Sequence, residues 1–280
     1  MAYTKRAYTK ETIIERLDKK LKAQKGQHNS NPIYADSMVN YGGKTNGKTN
    51  EWYSEVISEY LLKEKNLKIF IDGIEPLEHG RKRKGYWVES HKQWTGNWEK
   101  EKRQEERLAQ TMYGETYDNI GTVLDYQVPL KDYKGGRKED SDVPENPDEK
   151  VRAGKIDLVS YNSDKNEIYL LELKRPTNQE TLLRAALEIY TYSIQMKNQR
   201  EKFKTDFKES KDGKIVNAKI MNAEIIPAVL VARNECQHKH CDLQNTMALI
   251  KKLGVAVFVY DATPYKMTAV TQIAEGKGEK

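Results

Sequence analysis

The sequence has little cysteine, little phenylalanine and no apolar run long enough to cross a bilayer. Its 280 residues include two cysteines and four phenylalanines, and hydrophobic residues make up 37% of the chain. Two cysteines close together do not form a disulfide framework. A membrane helix needs about 20 consecutive apolar residues, and residues 1–22 carry no signal-peptide pattern. We therefore expect a soluble, cytoplasmic protein with no membrane partner.

Charge is plentiful and slightly unbalanced. Charged residues make up 32% of the chain, and the formal net charge is +6 with a sequence pI near 8.9. A mild basic excess suits a polyanionic partner such as nucleic acid but does not prove one. The length allows one large domain or two small ones, and the apolar runs after residue 117 are sufficient for a core.

The N-terminal third is predicted to be mostly helix and loop. Helical spacing of apolar residues predicts helices at 11–21 and 51–65, and an apolar run predicts a strand at 67–74. Residues 42–49 match the letters of a phosphate-binding P-loop. No apolar strand precedes that match, and it lies in the local repeat GKTNGKTN, so a chance match is favoured. We interpret residues 1–98 as an accessory region.

One basic run in that region has two interpretations. Residues 81–84 read Arg-Lys-Arg-Lys and stand just before Tyr86 and Trp87. Basic residues interleaved with aromatic ones can bind phosphates and stack on bases. A solvated loop with tryptophans packed beneath it is the favoured interpretation, because a run of charges is a weak signal on its own.

Residues 154–192 read as strand, turn, strand and helix. The second strand is an almost continuous apolar run that ends with Glu172 and Lys174, and the first strand carries Asp157. Side chains two apart on a strand share a face, so a hairpin lets Asp157 lie beside Glu172 on the face that carries Lys174. Two neighbouring carboxylates repel each other, and a hard divalent cation such as Mg²⁺ relieves that repulsion.

Asp157, followed after a hairpin by Glu172-Leu173-Lys174, resembles the catalytic signature of the PD-(D/E)XK nuclease superfamily, which has a restriction-endonuclease-like fold. The resemblance covers roughly the C-terminal two thirds of the chain, and Ile156 stands where that signature often has proline. It implies that Asp157, Glu172 and the Leu173 carbonyl hold Mg²⁺ or Mn²⁺, while Lys174 positions the attacking water. It also implies hydrolysis of phosphodiester bonds, in DNA rather than RNA. The plain alternative is a surface ion pair on an ordinary hairpin.

The resemblance adds a further glutamate. A charged helix is predicted at 99–113, and in the resembled family a helix before the first core strand often supplies a glutamate near the metals. Its local pattern places leucine three residues after the glutamate, so Glu105 is the nominee, with Glu101 and Glu106 in reserve. A solvent-facing glutamate on a charged helix is an equally good interpretation.

A long helix is predicted over residues 180–207, with Arg184, Glu188 and Tyr192 on one stripe. In one exonuclease-related branch of the resembled family, glutamine and tyrosine stand at the spacing of Glu188 and Tyr192. Here glutamate replaces glutamine, which leaves the branch open, and Arg184 with Glu188 also fits a simple ion pair. The candidate nucleic-acid contacts are Lys155, Arg175, Arg184, Glu188 and Tyr192.

A compact cluster of sulfur and imidazole groups also has two interpretations. Its members are Cys236, His238, His240 and Cys241. These are zinc-ligand types, but the cluster lacks the usual two-residue gaps between paired ligands, and so short a segment can hardly wrap a tetrahedral ion. A polar loop is therefore favoured over a zinc site.

The remaining segments complete the predicted fold. Strands are predicted at 119–130, 225–232 and 255–260, a helix at 246–253, and a loop at 131–152. The order helix, three strands, helix, strand, helix, strand implies an α/β (α+β) fold, with a mixed central sheet flanked by helices. Residues 99–280 form the predicted nuclease-like core, and residues 1–98 a mostly helical extension.

Two further interpretations of the chain are open. The same fold can serve as a catalytically silent module that binds nucleic acid or acts as a scaffold. Residues 1–98 can also be the functional half, as a protein-interaction domain. The oligomeric state is open as well, with a homodimer as one option, because many relatives cut as dimers.

Overall fold

A seven-stranded mixed sheet forms the centre of the protein. The computed structural model describes residues 8–24, 32–46, 48, 50–78, 80, 81, 85–130, 154–209, 218–233 and 235–277. The strands are β1 (Thr116–Tyr117), β2 (Gly121–Pro129), β3 (Lys155–Asn162), β4 (Glu167–Lys174), β5 (Glu224–Ala232), β6 (Ala256–Ala262) and β7 (Met267–Ala274). They lie side by side in chain order. Pairing is antiparallel from β1 to β4, parallel from β4 to β6, and antiparallel between β6 and β7.

Eight α-helices lie within the described ranges. They are α1 (Lys10–Gln24), α2 (Tyr53–Leu62), α3 (Glu64–Asp72), α4 (Gln104–Met112), α5 (Leu182–Gln195), α6 (Arg200–Lys208), α7 (Cys236–Lys239) and α8 (Gln244–Lys252). A mixed sheet with helices confirms the predicted α/β class. None of these helices combines the length and the apolar character that a membrane crossing requires.

The sheet is covered on both faces, which explains why β4 is apolar on both. Ile168 and Leu170 of β4 pack into one hydrophobic cluster with α1, α2, α3, α5, α6 and α8. Tyr169, Leu171 and Leu173 point the other way, into a second cluster with α4 and Trp98. A strand buried on both faces is expected to lack the alternation of a half-exposed strand.

The N-terminal helices belong to the larger of these two clusters. In α1, the buried residues Ile13, Leu17 and Leu21 repeat every four positions, which confirms the predicted amphipathic helix. In α2, the Glu55 carboxylate accepts hydrogen bonds from the backbone N–H groups of Asn245 and Thr246, at 3.1 and 2.9 Å. The described part of residues 1–98 therefore shares its core with the sheet.

Two predicted elements are wrong. The strand predicted at 67–74 lies mostly in α3, where Leu67 and Phe70 are buried at helical spacing. The predicted helix at 180–207 is two helices, because the chain turns at Lys197–Gln199 between α5 and α6. That turn lets Phe203 of α6 pack against Tyr86, with ring centroids 5.2 Å apart.

Several other predicted strands are confirmed, and some predicted segments fall outside the described ranges. The strands predicted at 119–130, 225–232 and 255–260 correspond to β2, β5 and β6, whereas β1 and β7 are not among the predicted strands. Residue 44 pairs with residue 52 in an isolated bridge, and no strand precedes the P-loop-like letters among the residues described there. Residues 82–84 of the basic run and the loop at 131–152 lie outside the described residues.

Candidate active site

The predicted hairpin is confirmed, and it brings Asp157 and Glu172 to neighbouring positions. The ladder between β3 and β4 runs from Asn162 opposite Glu167 to Leu158 opposite Leu171. Asp157 and Glu172 are the next positions along the two strands. The Asp157 carboxylate accepts a hydrogen bond from the backbone N–H of Leu173, at 3.0 Å. A side chain of β3 thus binds the main chain of β4 where the paired ladder ends.

Asp157, Glu172 and Lys174 are all buried. Their exposed fractions are 9%, 5% and 3%. The Lys174 Nζ lies 2.6 Å from Glu172 Oε1 and 2.7 Å from Glu180 Oε2. Buried charges are costly unless they are paired, and this ammonium has a carboxylate on each side. Glu172 and Lys174 therefore do form an ion pair, but it is buried and does not lie on the surface.

A second partner of Asp157 comes from β2. Gln127 donates its side-chain N–H to Asp157 Oδ1 at 2.8 Å. Its backbone has a φ of 48°, in the left-handed region that a glutamine rarely adopts. Such strain is found most often at functional sites, where the surrounding structure maintains it.

The electrostatics of the site follow from its burial. Burial raises the pKa of Asp157 from an ordinary 3.8 to about 7, against the opposing charge of Lys174. Burial and the charge of Asp157 raise the pKa of Glu172 well above its ordinary value. Burial lowers the pKa of Lys174, but the charges of Glu172 and Asp157 outweigh it, so the pKa rises. The pKa values of both carboxyls and of the lysine are therefore all raised, and each shift depends on the charge of the neighbouring groups.

Helix α5 brings a second row of charges to the same place. The Arg184 guanidinium forms an ion pair with Glu180 and lies 3.7 Å from Glu188 Oε2. The Tyr192 hydroxyl donates to Glu188 Oε1 at 2.8 Å. Glu188 Oε2 is buried and accepts no hydrogen bond from the described residues. The predicted i, i+4 pair of Arg184 and Glu188 is thus part of a larger network that reaches Lys174 through Glu180.

Tyr192 is fixed by contacts from two other parts of the chain. A side chain at Gly154 would meet the Tyr192 ring, since an added Cβ would lie 2.4 Å from it. The ring of Tyr34 packs edge-on against Tyr192 with centroids 6.0 Å apart. Burial raises the pKa of both tyrosines, so both remain neutral donors at physiological pH.

Of the three glutamates nominated before the first core strand, Glu105 reaches the end of β4. Its Oε2 accepts from the backbone N–H of Arg175 at 3.4 Å and from Asn178 Nδ2 at 3.2 Å. Glu106 instead lies 3.3 Å from Arg103. Glu101 lies 3.9 Å from Arg107.

The remaining predicted contacts lie at the edge of the site. Lys155 is exposed at the start of β3. Arg175 follows β4, and its Nη1 donates to Pro176 O and Thr177 Oγ1 at 2.9 and 2.6 Å. Arg175, Asp157 and Glu105 line one open cleft.

The cysteine and histidine segment lies in α7 and in a short 3₁₀ turn at His240–Asp242, so the predicted loop there is wrong. The His240 ring is buried, and its centroid lies 5.7 Å from that of Trp52. Burial lowers the pKa of His240 and raises the pKa of the Cys241 thiol to about 11. The His240 ring therefore packs against Trp52, and Cys241 packs against the larger hydrophobic cluster.

The donor types at the site fit a hard cation. Among the described residues, no three His, Cys, Asp or Glu side chains already converge as a ligand cluster. Asp157 and Glu172 nevertheless offer buried carboxylate oxygens, Leu173 offers a carbonyl, and Glu188 Oε2 has no hydrogen bond there. Oxygen donors of this kind suit Mg²⁺ or Mn²⁺.

Three residues of the site are absent from the sequence-based prediction: Gln127, Glu180 and Tyr34. Glu180 has a detectable signal, because it stands four residues before Arg184 at the start of a predicted helix. Gln127 and Tyr34 have none, because their positions depend on strand pairing and on packing between distant segments.

Comparison of the chain with protein-family models, curated proteins and solved structures finds no match. Function is therefore inferred from the residues of the site.

Proposed function

We propose that the protein is a metal-dependent nuclease with a restriction-endonuclease-like core, which hydrolyses phosphodiester bonds. One observation carries the proposal: Asp157, Glu172 and Lys174 lie together and buried where β3 and β4 stop pairing. Charged groups are almost never fully buried unless they are paired, and buried groups with strongly shifted pKa values beside a cleft are candidates for a functional site. DNA is proposed as the substrate in preference to RNA, on the family resemblance alone.

Asp157, Glu172 and the Leu173 carbonyl would hold Mg²⁺ or Mn²⁺, and Glu105 is the candidate for a second ion. The ion would polarise a phosphoryl oxygen and neutralise the charge that develops there. Because Asp157 and Glu172 have raised pKa values, the ion and the proton compete for these carboxyls.

The role of Lys174 follows from its charged ammonium group. An ammonium donates hydrogen bonds, so Lys174 can position the attacking water. Glu180 forms a second ion pair with the same ammonium, besides that of Glu172. Arg184 fixes Glu180 in turn, which keeps this part of the site in place before substrate arrives.

The test is a cleavage assay with supercoiled, linear, single-stranded and branched DNA and an RNA control, in Mg²⁺, Mn²⁺ or EDTA. Lys174→Ala is expected to lower the cleavage rate by about 100-fold or more, as loss of a group that stabilises a transition state does. Lys165→Ala is the matched control, since Lys165 lies on the turn of the same hairpin and contacts Gln272.

A second variant separates catalysis from folding. Lys174→Ala leaves the buried carboxylates without their countercharge, which alone destabilises a protein. Glu172→Gln removes a charge and keeps a hydrogen-bond acceptor, so it is expected to remain folded and to lose cleavage. If the folded wild-type protein binds DNA and cuts no substrate in either metal, the catalytically silent binding module replaces the nuclease.

A further inference from the structure

The described walls of the cleft beside Asp157 consist of polar side chains. Its volume is about 390 Å³, and its lining residues are Lys102, Arg103, Gln104, Glu105, Glu106, Gln127, Asp157, Arg175 and Asn178. An aromatic side chain would be needed to stack a base, and an apolar wall would be needed to hold an apolar ligand. These lining residues offer neither, so the ligand of this cleft is polar and well hydrated.

The cations of the cleft differ from its anions in how far they are engaged. Glu105 is bound by the Arg175 N–H and by Asn178, and Asp157 is bound by Gln127 and the Leu173 N–H. Lys102 is exposed and has no ion pair or hydrogen bond within the described part of the chain. Arg103 is 79% exposed, and its partner there is Glu106, at 3.3 Å. Lys102 and the highly exposed Arg103 are therefore the charged groups of this lining that are most available to a ligand.

Arg175 also lines this cleft, and one end of its guanidinium is fixed within the chain. Its Nη1 is fixed by Pro176 O and Thr177 Oγ1, both in the turn that follows β4. Thr177 has a φ of 65°, so this turn has an unusual backbone conformation next to the site. The amides of Gln104 and Asn178 also line the cleft, where Gln104 donates to the Glu99 carbonyl and Asn178 donates to Glu105. Arginine, lysine and amide side chains together are the usual contacts to phosphate and sugar.

We propose that this cleft binds the sugar–phosphate backbone of a nucleic-acid strand, through its cationic lining residues Lys102, Arg103 and Arg175. The inference rests on the proposed function and extends it to the recognition of the substrate. The cleft contacts phosphates next to the one that would be cut at Asp157. It does not read bases, so the affinity that it contributes is the same for unrelated sequences.

The test is binding of short labelled oligonucleotides in EDTA, where no cleavage occurs. Two unrelated sequences are offered as duplex DNA, single-stranded DNA and single-stranded RNA over a range of salt concentrations. The double variant Lys102→Ala/Arg103→Ala is expected to bind both sequences about tenfold more weakly. The slope of log K against log salt is expected to fall by about 0.9 for each duplex phosphate that the variant no longer neutralises.

The control removes the same charge elsewhere. Lys251→Ala/Lys252→Ala lies in the last turn of α8, in the layer on the other face of the sheet, where both lysines are exposed. It is expected to leave affinity and slope near those of the wild type. An equal loss of affinity for DNA and RNA supports binding of the backbone. A loss of affinity for only one of them also supports it and shows which sugar, deoxyribose or ribose, the cleft prefers.

Two results would overturn the inference. Unchanged affinity and slope in Lys102→Ala/Arg103→Ala would show that substrate does not occupy the cleft. A weakening for one sequence and not for the other would show base recognition instead. Both results can be distinguished from failure of the nuclease proposal. A protein that binds nucleic acid through this cleft without cutting it refutes only the nuclease proposal. A protein that cuts nucleic acid without using the cleft refutes only this inference.

Discussion

Gln127 adopts a backbone conformation that is costly for glutamine, and its side chain reaches Asp157. The φ of 48° would be tolerated by glycine at little cost. Glycine has no side chain that could donate to Asp157 Oδ1 from β2, so this hydrogen bond requires a residue other than glycine at position 127. Glutamine at this position thus combines an unfavourable backbone conformation with a hydrogen bond that glycine could not make.

Two substitutions separate these effects. Gln127→Gly relieves the strain and removes the amide, whereas Gln127→Ala keeps the strain and removes the amide. We expect Gln127→Gly to be more stable than Gln127→Ala by about 1 kcal/mol, because only glycine accepts this φ freely. Both are expected to cut more slowly than the wild type. Urea unfolding and cleavage rates check this, and an alanine variant that is the more stable of the two contradicts it.

Asp157 gives the metal-free protein a pH dependence with a defined sign. Its pKa in the folded protein is about 7, above the ordinary 3.8, so its contribution to stability is full below about pH 4 and is lost as pH rises through 7. Wild type is expected to lose on the order of 2 kcal/mol between pH 5 and 8 relative to Asp157→Asn. Urea unfolding in EDTA measures the difference, and parallel stability curves for the two proteins refute it.

The pairing of Asp157 with Glu172 could be predicted from the sequence, whereas the contact of Gln127 could not. A tight turn and a side-chain period of two fix the register of β3 against β4. The register of β2 against β3 shifts at Val123 and Asp125 and follows a long connection, so sequence spacing does not determine it. Local geometry was predictable, and contacts between distant segments were not.

At the scale of elements, α8 is capped by a residue of another helix. Its N-cap, Leu243, has no side chain that can accept a hydrogen bond. The Glu55 carboxylate takes that role, accepting from the N–H groups of Asn245 and Thr246 and from Thr246 Oγ1. The first turn of α8 therefore depends on the position of α2.

Glu55→Ala is expected to destabilise the protein by about 1–2 kcal/mol, because it removes a cap and leaves N–H groups without acceptors. Glu59→Ala, one turn along α2, is the matched control, since Glu59 is half-exposed and forms an ion pair with Lys10 at the surface. Denaturant unfolding of both variants provides the measurement. Equal losses in the two would mean that the cap contributes nothing beyond a surface charge.

The strand predicted at 67–74 is wrong because its apolar residues fit both the period of a strand and that of a helix. Leu67, Ile69 and Ile71 alternate as in a strand, but Leu67 and Phe70 are the residues that α3 buries. Short apolar runs leave this choice to tertiary packing. The longer runs of β4, β5 and β6 have no competing helical pattern of polar residues, and their predicted boundaries are nearly correct.

At the scale of the whole molecule, the N-terminal helices complete the layer that supports the site. The Val39 carbonyl accepts a hydrogen bond from the Thr181 hydroxyl at 2.7 Å, just before α5 begins, and Tyr34 packs against Tyr192. The residues predicted to form an accessory region thus hold the helix that carries Arg184 and Glu188. Their removal would expose apolar surface on α5 and α8.

A chain of residues 99–280 is accordingly expected to lose cooperative thermal unfolding and to aggregate, because the apolar face of α5 and α8 would be left open to solvent. Supplying residues 1–98 as a separate fragment is expected to restore folding and cleavage together. Circular dichroism and the cleavage assay follow both. A truncated chain that folds and cuts at the wild-type rate would instead make residues 1–98 a separable interaction domain.

The contact between α2 and α8 joins residues that are 191 positions apart in the chain. During synthesis, α1 and α2 leave the ribosome long before α8 exists, so the surface of α2 that packs against α8 lacks that partner until nearly the whole chain has been made. The two helices are then exposed to chaperones or to other unfinished chains for most of translation.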